Sequence, residues 1–137
     1  MDQSFLSARL DRAAAPLVVG DVVALLAVLT IGVINHSGSA FVLENPGHMV
    51  GVYAPFLISW ALVAPLVGAY SAGAAETAKS SLPLVIRSWI PAAVIGFLLR
   101  GFVPVFPGGL HWTFVLVLFV TGLVGLAGWR LLYFKLR

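Results

Sequence analysis

Cysteine is absent from this chain, and charge is nearly so: of 137 residues only 9% are Asp, Glu, Lys or Arg. The first absence removes disulfides, thiolate metal sites and thiol nucleophiles together. The second decides more. A soluble domain carries about 25% charged residues, so this chain has too little polar surface to cover a globule in water. Acidic residues are the scarcest, five against eight Lys and Arg. No paired carboxylates, HExxH, GxSxG or phosphate-binding loop can be found, so no enzyme activity is expected.

What fills the chain instead is apolar sequence, 61% of all residues. It arrives in blocks of roughly 20, the length that crosses a hydrocarbon core about 30 Å thick at 1.5 Å per residue. Four spans are predicted, over residues 16–34, 50–70, 82–102 and 112–133. The expected fold is an all-α, four-helix transmembrane bundle, a single domain over 16–137 behind an arm at 1–15. In that arm Phe5, Leu6, Leu10 and Ala13 recur at helical spacing opposite charges, which predicts a short amphipathic helix lying on the membrane surface. The first span is longer than the apolar core of a signal peptide and is interrupted by Asp21, so it is expected to be retained.

The ends of the spans carry punctuation. Pro16 and Pro83 suit first helical turns, where a missing N–H costs nothing. Trp112, Trp129 and Tyr133 match interfacial aromatic belts. "HSGSAFVLENPGH" (36–48) and "VPVFPGG" (103–109) read as turn-rich connections. Arg9, Arg12, Lys79, Lys135 and Arg137 flank one side of the spans, whereas the first loop has no Lys or Arg and the third only Arg100 at its edge. The positive-inside rule then places both termini and the middle loop in the cytoplasm. These basic residues are expected to meet lipid headgroups, not nucleic acid.

Charges inside spans are costly and mark candidate sites. Asp21 and Arg87 each lie about 7–8 Å inside their spans, and Arg130 about 4–5 Å inside the fourth. Asp21 is too short to reach the interface and needs protonation, hydration or a partner; Arg87 is the candidate by depth. Arg130 falls opposite the glycines of its helix and near its end, and reads as a snorkelling topology anchor. Helical phase puts Gly32, Asn35 and His36 within about 60° of Asp21, a polar track along one inward stripe, with Thr30 opposite. At the outer level stand His36, Glu44, His48, Arg100 and His111, with His36, Arg100 and His111 the candidate outer cluster. Their spacing matches no metal motif, so no cofactor is expected from it.

"TGLVGLAGW" (121–129) brings Thr121, Gly125 and Gly128 to one narrow face, with Gly122 alongside, and these glycines suit close helix packing, within the chain or with a second copy. Pro55 and Pro65 predict kinks in the second span, with Ser59 and Trp60 between them as candidate ligand-lining residues.

"VVGDVVALLAVLTIGVINHSG", "APFLISW", "RSWIPAAVIGFLLRG" and "GLAGWRLL" together resemble a domain-of-unknown-function family, the one numbered 3054. The likeness covers roughly residues 16–132. Its motif residues here are Asp21, Gly32, His36, Pro55, Phe56, Trp60, Arg87, Arg100, Trp129 and Arg130. Where the family often has a basic residue before the histidine, this chain has Ile34–Asn35. The resemblance implies a small four-span protein of a prokaryotic plasma membrane, as in halophilic archaea and actinobacteria, and carries no activity. The expected function is an oligomeric conduit or carrier for an ion or small solute, with Asp21–Arg87 as its inner site. Two alternatives stay open: an accessory or assembly subunit docked on a membrane partner protein, and a haem-, quinone- or carotenoid-binding protein.

Overall fold

In hydrocarbon a backbone N–H or C=O left without a partner costs several kcal/mol, so an apolar block of about 20 residues becomes a helix that satisfies its own backbone. The computed structural model, which describes residues 9–106 and 109–137, has four such helices. They are α1 (Ala15–Ser37), α3 (Pro46–Val67), α4 (Ala78–Phe102) and α5 (Trp112–Leu136), with the short α2 (Ser39–Glu44) between the first two. All four expected spans are present, and each helix overruns its predicted edges at one end or both. The chain is a multi-pass membrane protein, and no strand is found among the described residues.

Several local expectations change. The first connection is not turns alone: Gly38, with φ of 90°, breaks α1 and α2 follows at once. Pro83 lies inside α4 and not in its first turn, because a Thr77–Ser80 capping box starts that helix at Ala78. Gly68, left-handed at φ 100°, ends α3 and returns its N–H to the Ala64 carbonyl. Of the N-terminal arm, residues 1–8, with Phe5 and Leu6, lie outside the described residues. From Leu10 the arm is tied to a loop instead of lying as a surface helix: Leu10 bridges Tyr70, and the Asp11 N–H donates to the Tyr70 carbonyl at 2.9 Å.

Around the bundle α4 packs on both α3 and α5, and α5 packs on α1; the α1–α3 seam is the least extensive of the four. The core is aromatic, with Phe56, Phe97 and Phe114 edge-packed or tilted on one another and Trp60 tilted on Trp89. Glycine sets how closely helices approach. A Cβ on Gly122 would overlap the Trp89 indole, and one on Gly96 would come within 2.5 Å of the Phe56 ring. The outward face is Val, Leu and Ile, among them Val19, Val23, Ile31, Leu62 and Val124. That is a lipid-facing surface.

Candidate functional site

Two stripes of residues spaced by four meet at the end of the bundle that carries the termini. On α1 the buried positions are Leu17, Asp21, Leu25 and Leu29; on α5 they are Leu118, Gly122, Leu126 and Arg130. The helices run antiparallel through the bundle. Asp21 stands six residues after Ala15 and Arg130 six before Leu136, so both lie about 9 Å inside their helices at 1.5 Å per residue. They meet there as a salt bridge between Arg130 Nη2 and Asp21 Oδ2 at 2.5 Å, both side chains 0% exposed.

The pair anchors a wider network. Asp21 Oδ1 accepts from Arg130 Nε at 3.2 Å and from Trp129 Nε1 at 3.0 Å. Oδ2 accepts from the Tyr70 hydroxyl at 2.9 Å as well as from Nη2. A carboxylate offers about four acceptor positions, and all four are used within the chain. Arg130 Nη1 donates to Ser81 Oγ at 3.0 Å, and Trp60 Nε1 donates to the Tyr70 oxygen at 2.6 Å. Burial first, and then the neighbouring Asp21 carboxylate, push the Tyr70 hydroxyl above its ordinary pKa, so it stays a donor. All four long helices and the α3–α4 loop contribute, and among the described residues no buried side-chain N or O lacks a partner.

The partner of Asp21 is therefore Arg130 and not Arg87, which is exposed. Two physical reasons account for the change. The fourth helix continues to Leu136, which carries Arg130 deeper than a span ending at 133 implies. Positions four apart also advance by about 40°, so the buried stripe winds through about 120° between Leu118 and Arg130. A residue opposite the centre of the glycine face at one level can face the core at another. Arg130 is no snorkelling anchor.

The polar track on α1 is not formed either. Gly32, Asn35 and His36 are exposed, whereas Thr30, placed opposite, bonds the Tyr53 hydroxyl at 2.5 Å and ties α1 to α3. The outer residues are not drawn into a cluster. Arg100 Nε donates to the Gly109 carbonyl at 3.0 Å and its guanidinium lies 4.1 Å from the Phe114 ring centre, while His36 and His111 are exposed. Among the described residues no group of three or more His, Cys, Asp or Glu is placed to hold a metal ion.

On α3, Pro55, Ser59 and Trp60 are buried. Ser59 Oγ donates to the Phe56 carbonyl at 3.0 Å and lies against the close approach at Gly96. Trp60 instead joins the Asp21 network through Tyr70. Of the three α5 glycines, Gly122 accommodates Trp89 and Gly125 accommodates Val28, while nothing lies within 4 Å of a Cβ on Gly128. The close packing expected of that face is intramolecular at two of its three positions.

Sequence reasoning misses Tyr70 and Ser81 and misjudges Trp129. Tyr70 and Ser81 fall at or beside the edges of the expected spans, where a polar residue reads as boundary, and Trp129 reads as an interfacial belt residue. The readable signal is the clustering of hydrogen-bonding side chains at the depth of Asp21.

Residues 18–133 match the family described as Protein of unknown function (DUF3054). The chain belongs to that family. The matched region holds every member of the buried network, from Asp21 to Arg130, and omits the arm that carries Leu10. Comparison with curated proteins and with solved structures returned no match.

Tyr70→Phe removes one charge-assisted hydrogen bond to Asp21 and orphans the Trp60 indole, and is expected to lower stability by about 1.5–3 kcal/mol. Arg87→Gln is expected to fall within about 0.5 kcal/mol of the parent, as exposed substitutions do. Thermal unfolding in detergent, followed by helical circular dichroism, checks both. An Arg87→Gln loss as large as that of Tyr70→Phe would contradict the assignment of partners.

Proposed function

We propose that this chain is a non-enzymatic accessory or assembly subunit of a cell membrane, a rigid four-helix element whose Asp21–Arg130 pair locks the bundle. One observation carries the reading: every acceptor position of Asp21 is engaged by the protein's own donors, in a site with no exposed atom of either charged side chain. A carrier site has to exchange its internal partners for a solute or proton. Here that exchange would strip an intramembrane carboxylate of its only compensation, at a cost of several kcal/mol. The conduit with an Asp21–Arg87 gate loses its gate, since Arg87 lies outside the bundle. The distribution of Lys and Arg supports an orientation with both termini in the cytoplasm.

Reconstituted in liposomes, the protein is expected to move cations, protons and amines no faster than protein-free vesicles. Saturable flux abolished by Asp21→Asn would overturn the lock and restore a carrier. The assembly role is tested by mass: mild extraction from native membranes is expected to yield a species heavier than one chain with its lipid and detergent. A monodisperse single chain would argue against it.

A further inference from the structure

Tyr70 is held at both ends, and by two parts of the same stretch of chain. Its main chain belongs to the arm: Leu10 bridges it, and its carbonyl accepts from the Asp11 N–H at 2.9 Å. Its side chain belongs to the lock, the hydroxyl donating to Asp21 Oδ2 at 2.9 Å and accepting from Trp60 Nε1 at 2.6 Å. Asp11 and Asp21 are joined through a rigid entry to α1. The Asp11 carboxylate accepts from the Ala13 N–H at 2.9 Å and starts the turn Arg12–Ala14, which leads straight into the helix. Ala14 and Leu17 anchor that entry in the core. The two contacts therefore close a ring, from Tyr70 through the arm and the first turns of α1 back to Tyr70.

The arm also spans a bend in the loop it grips. Gly68, left-handed, ends α3 between Leu66 and Tyr70. Arg9 Nη1 donates to the Leu66 carbonyl at 3.0 Å, on the helix side of the bend, and Leu10 and Asp11 take hold of Tyr70 on the loop side. Asp21 is buried, whereas Leu10, Asp11 and Arg12 are exposed, so the arm is the part of the ring that is reached from outside the bundle. We propose that residues 9–11 are a strap through which the lock is tightened and loosened from outside. Fastened across Gly68, it holds the Tyr70 hydroxyl on Asp21; lifted away, it lets the hydroxyl go and leaves Asp21 to Arg130 and Trp129. The strap rests on the reading of Asp21–Arg130 as a lock and gives that lock a regulated state.

Contacts on one ring are coupled, and the coupling is reciprocal. Hydrogen exchange of the full chain in detergent, read on peptides over 9–14 and 68–72, tests this by way of local opening. Tyr70→Phe frees the hydroxyl end and should speed exchange of the Asp11 amide about fivefold, the effect of one hydrogen bond. Tyr53→Phe is the matched control, because it removes the Thr30–Tyr53 hydrogen bond outside the ring and should leave the arm unchanged. Asp11→Pro removes the N–H given to Tyr70 at an exposed position, and should speed exchange over 68–72 by a similar factor. In the Asp11→Pro background, Tyr70→Phe should lower the folding equilibrium constant about fivefold less than it does in the wild type. Equal arm exchange in Tyr70→Phe and Tyr53→Phe, or losses from Asp11→Pro and Tyr70→Phe that simply add, would each overturn the strap. The lock is tested separately by paired substitution of Asp21 and Arg130, so coupling there without reciprocity here would remove the strap alone.

Discussion

Arg130→Met is expected to destabilise the bundle by about 3–5 kcal/mol, the cost of leaving one member of a buried ion pair without its partner. Asp21 would then keep only its bonds from Tyr70 and Trp129, and a carboxylate at that depth cannot reach water by rotating a short side chain. Asp21→Asn alone should also be costly, since it strands the Arg130 guanidinium on Ser81 and a neutral amide. The informative variant is the double one. The introduced amide would keep its one oxygen as acceptor for the Trp129 indole and turn its NH2 toward the Tyr70 oxygen, which can accept, and methionine in place of Arg130 would fill much of the arginine's volume without a charge. Buried ion pairs replaced as a unit are often neutral or stabilising. The double variant should therefore recover most of what either single variant loses, and the cycle should give a coupling energy of at least ~2 kcal/mol. Unfolding in detergent measures all four corners. A double variant no more stable than Arg130→Met would mean that the two side chains act separately, and the lock would have to be abandoned.

The second large effect is expected at the α4–α5 contact. Trp89 is 0% exposed, lies where Gly122 has no side chain, and donates its indole N–H to the Phe119 carbonyl at 2.9 Å. Trp89→Ala removes the largest buried side chain of the core and should cost about 3–5 kcal/mol. Gly122→Leu fails from the other side. Its side chain would enter the space of the indole and force α4 and α5 apart, an overpacking cost of about 1–3 kcal/mol or more. Combined, the new leucine occupies part of the cavity that the missing indole leaves, so the double variant should be more stable than the sum of the single losses implies. Gly128→Ala is the control: nothing lies within 4 Å of the added methyl group, and alanine is the better helix former. If Gly128→Ala were as damaging as Gly122→Leu, the glycines would be serving a contact outside the chain, and packing between α4 and α5 would not account for them.

Residues 16–34 and their three counterparts are legible as spans because hydrocarbon imposes one requirement on every residue in them, and composition alone satisfies or fails it. Asp21 stands out for the same reason: a carboxylate in that setting must have a partner, whichever residue supplies it. The identity of the partner is a different kind of fact. Depth counted from span edges matches Arg87 to Asp21 and leaves Arg130 too shallow, and the true helix ends, at Ala78 and Leu136, move both counts. Which face of α5 turns inward depends on a stripe that winds as it ascends, so a helical wheel drawn around three glycines points Arg130 the wrong way. Tyr70 and Ser81 enter the site only because a loop folds back under the bundle and α4 begins one turn early. The sequence by itself determined a four-helix membrane protein with one acid that could not stand alone. Only the tertiary structure decided that Arg130, Tyr70, Trp129 and, through them, Ser81 and Trp60 enclose it, because the rotation and offset of one helix against another are set by packing and are not local properties of either helix.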